Sequence, residues 1–254
     1  MIYIADHAWP VFVVSLAAMA FAAWVGARVA RRWPLSREMR PDFNVLQGAA
    51  LTLLALIIGF SFAMASSRYD QRKNLEEAEA NAIGTEYLRA ALLATSDAAK
   101  VRGLLKAYLD QRIRFYTADD DASLRSIDQD TARLQAELWS ALLAPAAAQP
   151  TPIVAIVLTG MNDVLNAQGY TQAAWWNRIP SSAWDLMAAI AVCCNLLVGY
   201  GMHGTVSPRR LALILPLFVA VAFAFIADLD SPRHGIIVVH PQNLSSLAAS
   251  LPAP

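Results

Sequence analysis

Apolar residues along this chain gather into four long runs, at residues 9–27, 45–65, 183–201 and 211–227. Between the second and third runs, apolar positions recur only every third or fourth residue. A helix needs about 20 mostly apolar residues to cross about 30 Å of hydrocarbon, and these runs approach or meet that length. The last is short and contains Pro216, which predicts a kink or a re-satisfied backbone group there. Trp9, Trp24, Trp33, Trp175, Trp176 and Trp184 fall near run ends, as an interfacial aromatic belt requires. The first run has no basic segment ahead of it, so it reads as an anchor and not as a cleaved leader.

The middle of the chain has helical spacing. Val101, Leu104, Leu105, Tyr108 and Phe115 form one periodic series, and Leu124, Ile127, Leu134, Leu138 and Leu142 form the next. Asp119, Asp120 and Asp121 separate the two, as a turn with acidic bias at the start of the second helix. Pro145, Pro150 and Pro152 predict a stiff linker. Residues 153–158 are too short to span and are expected to pack in the bundle or at the membrane surface. The one strand-like stretch is residues 236–240.

The second run has an unusual exit. The segment LIIGFSFAMASSRYDQRKN, residues 56–74, passes from apolar to charged with no helix breaker, and no proline occurs between Pro41 and Pro145. One helix from residue 45 to about residue 91 is therefore expected, roughly 70 Å long at 1.5 Å per residue. Only about 30 Å of it fits in lipid. The remainder carries Glu76, Glu77, Glu79 and Glu86, read here as a solvated face with Arg72–Glu76 and Lys73–Glu77 pairs, or else as a vestibule attracting cations. Ala55, Gly59, Ala63 and Ser67 recur at every fourth position as a ladder of small residues, which lets helix backbones approach closely in lipid. The ladder serves either packing of the first two spans or assembly of several copies.

Composition supports a membrane protein with a polar part. The 254 residues are 57% hydrophobic and 16% charged, with mean hydropathy +0.39. Formal net charge is zero, so nothing points to nucleic acid. Arg28, Arg31, Arg32, Arg37 and Arg40 crowd the first inter-span loop against only Glu38 and Asp42, and Arg209 and Arg210 lie in the last. The positive-inside rule makes both loops cytoplasmic, with the termini and the soluble middle extracytoplasmic.

Candidate chemistry is sparse. Cys193 and Cys194 are adjacent and form neither a disulfide nor a metal site. His7, His203, His234 and His240 lack ligand spacing, and no phosphate loop, HExxH or GxSxG occurs. Asn195 inside the third run is expected to hydrogen-bond a neighbouring helix. Asp228 and Asp230 could join a cation site, but two ligands are too few, and a turn before Pro232 is favoured.

The stretches GFSFAMASSRYDQRKNLEEAEANAIGTEYLRA, RIPSSAWDLM, LVGYG and ADLDSPRHGIIVV together resemble the bacterial bestrophin-like domain of unknown function, over about residues 45–245. The resemblance implies a remote likeness to bestrophins, pentameric ion channels whose second membrane helix lines the pore and extends into a helical soluble region. Bestrophins keep that region in the cytoplasm, whereas the arginine bias here puts it outside. No calcium clasp can be assigned residue by residue.

The resemblance implies a pore reading of the second helix. Ile58, Phe62, Ala65 and Tyr69 would line or gate it, with Arg68, Asp70, Arg72 and Glu76 as charges at its mouth. Otherwise Ile58 and Phe62 face lipid or core, and Arg68 snorkels to headgroups. The expected fold is all-α, with four transmembrane helices in two hairpins and a long second helix extending into a soluble helical bundle. Its parts are a first hairpin at 9–67, a soluble domain at 68–181, a second hairpin at 182–228 and a C-terminal extension at 229–254. The expected function is a homo-oligomeric channel in the bacterial inner membrane, with lipid, ions and its own copies as partners and no cofactor. The alternative is a non-conducting, membrane-anchored sensor or partner-binding protein.

Overall fold

The computed structural model describes residues 7–202 and 213–252, and among these it is helical, with no strand. His203, Arg209, Arg210 and the first two residues of the fourth apolar run lie outside the described residues. Helices are α1 (Ala8–Arg32), α2 (Arg40–Arg89, followed by a 3-10 turn at Ala90–Leu92), α3 (Thr95–Thr117), α4 (Asp121–Ala148), α5 (Pro152–Trp176), α6 (Ser181–Gly201), α7 (Ile214–Asp230) and α8 (Gln242–Ser250). The chain forms two compact units, residues 1–69 with 178–238, and residues 70–177 with 239–254.

In the first unit, α1 packs against α6 and α7. The α1–α6 crossing is unusually close because glycine stands at it on both helices. A Cβ on Gly26 would run into the carbonyl oxygen of Leu196, and one on Gly199 would meet the backbone of Ala23. Close approach through small residues gains packing where lipid supplies no hydrophobic drive. The core around it includes Met19, Met187, Ala191, Cys194, Phe223 and Ile226. Leu54 and Ala65 of α2 belong to the same core, and the Cys194 thiol donates to the Ala50 carbonyl at 3.3 Å.

Three expectations are corrected here. Pro216 lies in the first turn of α7, where a backbone N–H has no intrahelical acceptor, so the proline removes no bond from the helix interior. Asn195 donates to the Ala191 carbonyl of its own helix at 2.8 Å and does not bridge to a neighbour. Its Oδ1 is buried without a partner. The strand-like residues 236–240 form no strand, because the N–H groups of Ile236 and Ile237 go to the Asp228 carboxylate.

In the second unit, α3 and α4 meet as the spacing predicts, with Val101, Leu105, Tyr108, Phe115, Leu134 and Leu138 buried. Asp120 caps α4 by accepting from Ser123 N at 2.8 Å, and Thr151 caps α5 by accepting from Val154 N at 3.3 Å. The stiff linker is shorter than expected. Helix α4 continues through Pro145 to Ala148, so only residues 149–151 connect it to α5. A proline this close to a helix end deprives a single carbonyl of its donor. Residues 153–158 open α5, a 25-residue helix. Trp175 is buried in a ring cluster with Phe115 and Tyr116, centroids 4.9 and 5.3 Å away, and so leaves the expected aromatic belt. Trp9, Trp24, Trp33 and Trp176 remain exposed.

Candidate functional site

Helix α2 is a single 50-residue helix, about 75 Å long at 1.5 Å per residue, and it does not break at Ser66. It has two unlike faces. Leu54, Ser61, Ala65, Arg72, Glu76, Glu79, Ile83 and Glu86 are buried, and their steps of three, four and seven put them on one stripe. The opposite side is open along the same length. Ala55, Gly59, Ala63 and Ser67 are exposed, and nothing stands within 4 Å of where a Cβ on Gly59 would be. Leu56, Phe60 and Phe62 are 52%, 65% and 47% exposed around that ladder. Further on, Asp70, Asn74, Glu77 and Asn81 continue the open side as polar residues.

This division sorts the residues expected along a pathway. Phe62 is open. Ala65 is fully buried in the first unit's core, and Ile58 and Tyr69 pack against that core, so Ala65 is removed from the pathway set. Of the mouth charges, Asp70 is exposed, while Arg72 and Glu76 are 1% exposed each. They fall on the continuation of the apolar stripe, and the tertiary fold covers it. Glu76 accepts from the Leu244 amide at 2.9 Å and from Asn243 Nδ2 at 2.6 Å. The solvated-face reading fails for Glu76, Glu79 and Glu86 alike, and holds for Glu77.

Arg68 pairs with Asp230 at 3.4 Å. The Asp230 carboxylate also accepts from the Ile179 amide at 3.0 and 3.1 Å and lies 3.7 Å from Arg178 Nε. Asp228 takes the amides of Ile236 and Ile237 at 2.7 and 2.9 Å. Both carboxylates therefore fasten the end of α7 to the chain around it, with their lone pairs engaged by N–H groups. Among the described residues no three His, Cys, Asp or Glu side chains come together as a metal set.

The second unit holds charged groups that a reading by polarity alone misses. Glu79 and Arg112 form an ion pair with both side chains fully buried, and Thr171 donates to Glu79 at 3.1 Å. Burial pushes the phenols of Tyr108 and Tyr116 well above the usual range, and the nearby Glu79 charge pushes the same way. Glu86 is fully buried, and neither carboxylate oxygen has a hydrogen-bond partner. Burial pushes it up to about 8, with Arg89 lowering it and Asp163 raising it further. The available signal was the apolar stripe of α2: projected forward at helical spacing, it runs through Glu76, Glu79 and Glu86.

Among the described residues, three stretches contain a window long and apolar enough to cross a membrane: Ala8–Arg32, Arg40–Leu92 and Pro152–Gly201, with mean hydropathies of 2.0, 2.1 and 1.6. Helix α7, at 17 residues, falls short of that length.

The family model of the Bestrophin-like domain matches residues 12–244. Among solved structures, the chain is similar to a leucine-to-threonine variant of a bacterial bestrophin homolog from Klebsiella pneumoniae, with TM-score 0.67 and 11% identity over 94% of this chain and 96% of that one. It is also similar to a bacterial bestrophin homolog from the same organism solved by zinc phasing, with TM-score 0.65 and 14% identity over 95% of this chain and 98% of that one. At such identities the likeness is one of fold. No curated protein matches the chain.

Proposed function

This chain belongs to the Bestrophin-like domain family, and from that premise we propose that its copies assemble into a ring around an ion-conducting pathway lined by α2. The observation that carries this reading is the open side of α2. An apolar helix face with a small-residue ladder, left uncovered along a single chain, suits close helix contact in lipid. In such a ring the ladder Ala55, Gly59, Ala63 and Ser67 meets the neighbouring copy. Phe62, with Ile58 and Tyr69 behind it, narrows the apolar part of the path, where constriction gates by dewetting. Asp70, exposed where the open side turns polar, is the charge beside the apolar part of the path, and Arg68 sets the position of α2 through Asp230.

In this reading α1, α2, α6 and α7 are four spans in two hairpins. The excess of arginine at residues 28–40 orients the ring in the bacterial inner membrane with the second unit extracytoplasmic.

Purified protein reconstituted in liposomes, with ion flux and particle mass measured on the same sample, tests the proposal. A closed ring with salt flux is expected, and Phe62→Ala should change that flux. A monomer or dimer would refute the ring. A ring without flux in any salt would leave an anchored, partner-binding role.

A further inference from the structure

Glu86 and Arg89 of α2 stand side by side against α5. A Cβ on Gly160 would run into both Glu86 Oε2 and Arg89 Nη1, so the two groups share the space that this glycine leaves open. The same Arg89 Nη1 also lies 3.9 Å from Asp163, which is 62% exposed. Glu86 stands 21 residues beyond Ala65 in the sequence, well past the apolar run. The charged groups acting on it are Arg89 from its own helix and Asp163 from α5. Arg102 of α3 is committed elsewhere, donating to the Tyr87 carbonyl at 3.1 Å and lying over the Tyr87 ring.

A dry, unpartnered carboxylate is costly, whereas the neutral acid is far less so. The guanidinium beside it has a second, solvent-facing partner. We propose that Glu86, Arg89 and Asp163 form a proton-operated switch at the α2–α5 seam. With Glu86 protonated, Arg89 serves Asp163. Once Glu86 gives its proton to solvent, Arg89 turns to the new carboxylate and Asp163 is released to water.

The direction with pH follows from linkage. The carboxyl is held by burial at about 8 against an ordinary value of 4.5, so the closed seam binds the proton more tightly than the open one. Protection of the seam is complete below pH 4.5, falls as pH rises towards 8, and is level above that. The opening constant of the seam should rise by up to about tenfold per pH unit within that window.

The test is hydrogen exchange of the α5 amides around Gly160, corrected for intrinsic base catalysis, alongside infrared titration of carbon-13 glutamate in the full-length protein. A protonated carboxyl band should persist at pH 7 and disappear through pH 8, and Glu86→Gln should remove both the band and the excess pH dependence of exchange. Asp163→Asn, at an exposed site, should move the titration to lower pH, because it deletes the charge that raises Glu86 and frees Arg89. Absence of the band, equal pH dependence in wild type and Glu86→Gln, or an unmoved midpoint in Asp163→Asn would each overturn the switch. None of these readouts depends on ion flux, so a failure here and a failure of the channel reading are distinguishable.

Discussion

Glu79 and Arg112 face each other in the second unit with neither side chain exposed, joined through Arg112 Nε and, at 3.4 Å, through Nη2. Such a pair is weak evidence of net stability, because desolvation offsets most of the attraction. Breaking it is another matter. Arg112→Ala leaves Glu79, among the described residues, with Thr171 as its side-chain donor, and should cost about 3–5 kcal/mol in thermal or denaturant unfolding. Replacing both partners with apolar residues of similar volume should cost much less. A double replacement as damaging as the single one would show that the pair contributes through more than mutual compensation.

Tyr108 and Tyr116 sit beside that pair, and their phenols are pushed upward first by burial and then by Glu79. Their ordinary value is 10.0, so above pH 10 the folded state holds protons that the unfolded state has lost. Stability should therefore be unaffected by these groups below pH 10 and fall as pH rises beyond it. An ultraviolet titration should show these phenols ionising only as the protein unfolds. If all 7 tyrosines titrate together in the folded protein, the burial argument fails.

The long α2 helix was legible because no proline occurs between Pro41 and Pro145, and Gly59 alone does not break a helix in an apolar run. The α3–α4 turn was legible from Asp119, Asp120 and Asp121, since acids before a periodic run mark a helix start. Glu76, Glu79 and Glu86 were not. A carboxylate on a charged helix is ordinarily solvated, and its burial depends on partners from α3, α5 and α8 that are distant in sequence. Small residues were legible only in part. The ladder at Ala55 to Ser67 stood out by its regular spacing, whereas the intramolecular crossing uses Gly26 and Gly199, which no local pattern connects.

Asp230 is the anchor of the α7 end, holding the Ile179 amide, Arg68 and Arg178. Asp230→Asn keeps the size but removes the charge that faces two guanidinium groups. A loss of about 1–3 kcal/mol in thermal unfolding is expected, the cost of leaving buried charge-assisted bonds unmade. Added calcium should leave the wild-type transition where it is, since N–H groups already occupy the carboxylate. A calcium-dependent rise in the wild type, lost in the variant, would reinstate the cation site.

Gly59 and Gly199 make the sharpest contrast in the molecule. At Gly199 a Cβ would approach the backbone of Ala23 to 2.7 Å at its carbonyl carbon, so any side chain forces α1 and α6 apart. Gly199→Leu should thus destabilise the protomer by more than the roughly 1–3 kcal/mol typical of overpacking. At Gly59 the same atom meets nothing within 4 Å. Leucine there fits the single chain and improves helix propensity, so circular dichroism and thermal unfolding of the protomer should hold or rise slightly. Should copies meet along Ala55, Gly59, Ala63 and Ser67, the same leucine would keep neighbouring backbones from approaching, and particle mass in detergent should drop to that of one chain. Measuring mass and melting on both variants separates the two roles, because only Gly59→Leu should dissociate the ring while sparing the fold. A Gly59→Leu protein that assembles like wild type would mean that the open side of α2 faces something other than its own copies.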